Sequence, residues 1–115
     1  MNEKTIKLCG KDVKIRYCAA SETLYEKLAQ KSISELQTTS QEDIMRLAIC
    51  CVIAAYEREG KEVPIEAKDL LYEAKSSELI NLYKAVFELR AQWYDVSTVV
   101  QPELEEEKKE EDKKN

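Results

Sequence analysis

Residues 4–17, KTIKLCGKDVKIRY, alternate apolar and polar side chains twice, with Ile6 and Leu8 on one arm and Val13, Ile15 and Tyr17 on the other. This period of two predicts a β-hairpin. A two-residue Gly10-Lys11 turn of type II′ would pair Cys9 with Asp12, Leu8 with Val13 and Ile6 with Ile15, so that the apolar side chains share one face. An isolated hairpin is marginal in water, so that face must lie on helices.

The pattern then changes to a helical period. Ser21 is the expected cap of a first helix reaching about Gln30, in which Leu24, Tyr25 and Leu28 share a face. Ile33 and Leu36 form a short apolar anchor before the polar link QTTSQ. Ser40 and Asp43 have capping-box spacing and open a longer helix that should end near Gly60. From Leu47 to Tyr56 this helix is apolar on every side, the mark of a central helix packed all round. Pro64 suits the first turn of a short third helix whose buried side would hold Leu70, Leu71 and Ala74.

Ser76 or Ser77 should cap a fourth helix running to about Tyr94. Asn81, Lys84, Glu88 and Asp95 trace its polar stripe, and Leu79, Leu82, Tyr83, Val86, Phe87 and Trp93 lie opposite. The fold class expected is therefore α+β and mostly α: an N-terminal two-stranded hairpin packed on a bundle of about four helices. Residues 1–100 form one domain in this reading. Residues 101–115 carry a single apolar side chain after Pro102 and are expected to be a disordered acidic tail.

Composition sharpens this picture. The 115 residues carry a formal charge of -5, which disfavours a nucleic-acid or membrane-surface partner because phosphate binding needs a basic face. No basic-then-apolar leader follows Met1, and the ten-residue apolar run from Leu47 to Tyr56 is about half of a membrane span. A cytoplasmic location is expected, with Cys9, Cys18, Cys50 and Cys51 as free thiols. The chain has no histidine and no CxxC pair, which leaves a zinc site without its usual ligands.

Catalytic chemistry finds little support. Gly10 and Gly60 stand fifty residues apart and cannot form a phosphate-cradling loop. The commonest general base is absent, and Cys50 and Cys51 lie in the most apolar stretch, where a thiol is inert. We expect no enzyme, no cofactor and no metal, and expect the protein to work by binding another protein. The residues singled out for partner binding are Tyr83, Trp93, Tyr94, Val99 and Val100, because aromatic side chains near a helix end and an apolar exit segment make a good contact patch.

The order TIKLCGKDVKIRY, then AASETLYEKLAQKSISEL, then a polar link and further helices resembles the tail assembly chaperones of long-tailed bacteriophages. The passage from Tyr17 to Leu36 carries the likeness: a strand runs into a helix with an aromatic-Glu pair, here Tyr25-Glu26. A Gly-Lys-Ser-like step follows, which in this chain reads Gln30-Lys31-Ser32 and so departs from the pattern at its glycine. The resemblance covers about residues 5 to 95. It implies a non-enzymatic protein of the bacterial host cytoplasm that coats the tape-measure protein, or binds another tail protein, and is compatible with a homo-oligomer. The second reading of the same residues is a bacterial protein-interaction or adaptor module, its acidic tail engaging a basic partner.

Overall fold

A computed structural model describes residues 2–94. Val99, Val100, Asp95 and the expected acidic tail lie outside the described residues. Strands β1 (Glu3–Leu8) and β2 (Lys11–Arg16) form an antiparallel hairpin, followed by α1 (Ala19–Ala29), a 3-10 turn at Ile33–Glu35, α2 (Gln41–Glu59), α3 (Ala67–Tyr72) and α4 (Ser76–Trp93). The hairpin on a four-helix framework is the fold class that the alternation and periodicity predict.

The turn differs from the expectation. Leu8 pairs with Lys11 and Ile6 with Val13, so the two loop residues are Cys9 and Gly10, both at positive φ (53° and 78°) as a type I′ turn requires. A left-handed cysteine is disfavoured by its Cβ, but here the fold holds it: the Cys9 N–H donates to Glu78 Oε1 at 3.2 Å, and its Sγ lies 3.5 Å from the Asp69 carbonyl. The pairing is displaced by two residues from the predicted register. Because side chains alternate with period two, Leu8, Val13 and Ile15 still reach the core.

Helix α2 is the axis of the core. Leu47, Ala48, Cys50, Cys51, Val52 and Ala55 are buried along it, and α1, β2 and α4 all pack on it while β1 lies against α4. Ser40 caps its start by accepting from the Asp43 N–H at 3.2 Å, and left-handed Gly60 ends it. The other half of the expected capping box is missing, since the Asp43 carboxylate turns inward.

Three boundaries move for physical reasons. Helix α1 begins earlier, with Cys18 as the N-cap; Ser21 is its third residue, accepting from the Cys18 N–H at 3.2 Å and donating to the Arg16 carbonyl at 2.6 Å. Helix α3 begins only after Glu66, whose N–H donates to Asp69 Oδ2 at 2.8 Å, so Pro64 precedes the helix and Ile65 enters the core. Helix α4 takes Lys75 as its N-cap, with Ser76 and Ser77 already helical. Glu78 Oε1 accepts from the Lys75 N–H at 3.0 Å as well as from Cys9, which fastens the hairpin turn to the first turn of α4.

Candidate functional site

Two apolar side chains expected inside are outside. Leu28 on α1 is 55% exposed and Leu71 on α3 is 61% exposed, whereas their neighbours Tyr25 and Leu70 are buried. The exposed pair lies across an open groove of about 460 Å³ whose floor is Met45 and Ile49 of α2, with Ala67 beside Leu71. Gln41, Glu42 and Arg46 supply its polar side. Tyr72, next to Leu71, is 81% exposed. An apolar trough with a polar wall between helices is the form that receives the apolar face of a partner helix.

The wall of the groove is tied to a buried carboxylate. Asp43 Oδ1 accepts from the Tyr25 hydroxyl at 2.8 Å and from Arg46 Nη1 at 3.2 Å. Its Oδ2 accepts from the Gln37 N–H at 2.7 Å and from Lys31 Nζ at 2.8 Å. Burial alone would raise the Asp43 pKa, but the lysine, the amide N–H and the tyrosine hydroxyl outweigh it and lower the value to about 2. Arg46 also pairs with Glu42 at 2.7 Å. The guanidinium is therefore neutralised by its own neighbours, and the groove presents apolar surface flanked by satisfied charge.

Residues from the Tyr17 to Leu36 passage build one side of this arrangement. Tyr25 reaches Asp43, while Glu26 Oε2 accepts from the Ile33 N–H at 2.7 Å and holds the 3-10 turn against the end of α1. Lys31 closes on Asp43. Gln30 occupies a left-handed C-cap at φ 60°, a conformation that a glycine adopts without strain.

The aromatic residues named from the sequence do not form one patch. Tyr83 is half-buried and ten residues before Trp93, about 15 Å along the α4 axis; its hydroxyl lies 3.5 Å from Gln41 Nε2. Trp93 and Tyr94 are 37% and 44% exposed and engage neighbours within the chain. The Trp93 ring lies 5.7 Å from Tyr17 and 5.0 Å from Tyr94, and the Arg90 guanidinium sits 5.5 Å over the Tyr94 ring. The Tyr17 hydroxyl donates to Glu22 Oε2 at 2.7 Å, and the Tyr94 hydroxyl donates to the same oxygen. Burial, reinforced by Glu22, pushes both phenols above their ordinary pKa. These contacts join the end of α4 to the start of α1.

The thiols divide by environment. Burial pushes Cys50 up to about 12 and Cys51 higher still, so neither is nucleophilic at neutral pH. Partial burial opposes ionisation of Cys18, but hydrogen bonds from Ser21 and Ala20 at the α1 N-terminus and the nearby Arg16 outweigh it and lower its pKa. All four cysteines are free. Among the described residues no three His, Cys, Asp or Glu side chains converge as a metal site would need, and no helix is long and apolar enough to cross a membrane.

No family model, no curated protein and no solved structure matches the chain.

Proposed function

We propose that this protein is a non-enzymatic assembly chaperone of bacteriophage tails, working in the host cytoplasm and holding apolar helix faces of the tape-measure protein in the groove between α1, α2 and α3. The groove carries this reading: Leu28 and Leu71 are exposed where a soluble domain would hide them, above a floor of Met45 and Ile49. The resemblance implies a partner with long hydrophobic helices, and an apolar trough with neutralised walls suits many such segments without demanding one sequence. The resemblance over residues 5 to 95 supports the same assignment.

Co-expression with a phage tape-measure protein tests the idea. The wild-type chain should raise the soluble fraction of that protein severalfold. A Leu28→Glu, Leu71→Glu double variant should lose most of this effect while melting within about 0.5 kcal/mol of the parent, since both positions are exposed. An unchanged soluble fraction with the wild-type chain would sink the proposal.

A further inference from the structure

The hairpin has two edges, and among the described residues only one is closed. With Leu8 and Lys11 flanking a two-residue loop, hydrogen-bonded pairs alternate with non-bonded ones along the ladder, so Leu8/Lys11, Ile6/Val13 and Lys4/Ile15 exchange bonds. Two observations fix the alternation. The Tyr17 N–H donates to the Asn2 carbonyl at 2.8 Å, as the next bonded pair requires, and the Lys14 N–H points outward to the Tyr56 hydroxyl at 3.0 Å. Helix α2 thus closes the β2 edge. On β1 the outward N–H and C=O groups are those of Glu3, Thr5 and Lys7, and among the described residues none has a hydrogen-bond partner. Thr5 and Lys7 are exposed.

We infer that β1 is a self-pairing edge: two copies of the chain join antiparallel strands about a twofold axis at Thr5, making a four-stranded sheet of order β2-β1-β1-β2. The sequence of the edge is complementary to itself in that register alone. Pairing Thr5 with Thr5 of the second copy sets Glu3 opposite the second copy's Lys7, and Lys7 opposite its Glu3, on the same face of the sheet. All three pairs are of the hydrogen-bonded kind, because these are the residues whose main-chain groups face outward. A one-residue slip would match inward-facing groups with outward-facing ones. A two-residue slip would set Thr5 opposite Lys7 or opposite Glu3, and a four-residue slip would set Lys7 opposite Lys7 or Glu3 opposite Glu3, so each loses the opposite-charge pairs. The joined sheet also removes the open ladder that a lone hairpin presents to unrelated strands.

The experiment is sedimentation equilibrium on the full chain. The wild-type protein should show a concentration-dependent dimer. Thr5→Pro removes an outward N–H that the protomer does not use, so dimerisation should weaken at least about tenfold while the circular dichroism melt is kept. Glu3→Lys and Lys7→Glu should each weaken the homodimer by a similar factor through like charges facing across the axis. Mixing those two variants should restore a heterodimer, since every lysine then meets a glutamate. A wild-type monomer up to about 1 mM, or a mixture no tighter than its two components, would overturn the inference. The mixing result remains decisive even if the proline variant does not fold, and none of these outcomes depends on the groove.

Discussion

Asp43 shows how one side chain can decide a neighbourhood. Its carboxylate is buried and receives donors from Tyr25, Lys31, Gln37 and Arg46, drawn from α1, the link after it and α2 itself. A folded-state pKa near 2, below the ordinary 3.8, means that its contribution to stability is complete above about pH 4 and is lost as the pH falls through about 2. Asp43→Asn should therefore cost about 2 kcal/mol at neutral pH, by removing the charge that Lys31 and Arg46 oppose. It should also flatten the dependence of the urea midpoint on pH between 4 and 2. A variant that loses stability over that interval as steeply as the parent would contradict this account. From the sequence Asp43 is legible as a helix-start residue and no more, because its partners at positions 25, 31 and 37 meet it only through the fold.

At the scale of elements, periodicity located what packing later confirmed. The hairpin and the apolar length of α2 follow from spacing, since each is long enough for its period to show; on α4 spacing finds the buried Leu82 and Val86 but omits Ala85 and Leu89 and counts the exposed Trp93 with them. The short pieces were less legible. Helix α3 has only two turns, and its start is set by the reciprocal contact of Glu66 with Asp69, not by the proline before it. Spacing places Leu28 and Leu71 on buried faces because periodicity records which residues share a side, not whether a neighbouring helix covers it. One strained position gives a direct test. Gln30 ends α1 in the left-handed region, and its amide recovers part of the cost by donating to the Lys27 carbonyl at 2.8 Å. Gln30→Gly should raise stability by about 0.5–1 kcal/mol in chemical denaturation, the strain relieved exceeding the exposed hydrogen bond lost. A destabilised variant would show that the side-chain bond dominates.

For the molecule as a whole, the open apolar groove is the part least legible in the sequence. Aromatic content points to Tyr83, Trp93 and Tyr94; the last two are partly exposed and also contact neighbours within the chain, while the groove itself is lined by aliphatic side chains where three helices leave one another uncovered. Only an excess of leucine on two short helices, more than either can bury, hints at it in the sequence.

The closing junction has a topological consequence. Asn2 is bonded to Tyr17 through both its carbonyl and its side-chain amide, and Tyr17 meets Trp93, so residues 2 and 93 lie at the same pole of the fold. Direction along the chain is then a detail of synthesis rather than of architecture. A circular permutant that joins residue 94 to residue 2 through a short flexible linker, and opens at the exposed Gly60-Lys61 bend, should give the parent's circular dichroism spectrum and a single cooperative melt. Every contact described above would be kept, with α3 and α4 now leading and the hairpin embedded in the middle of the chain.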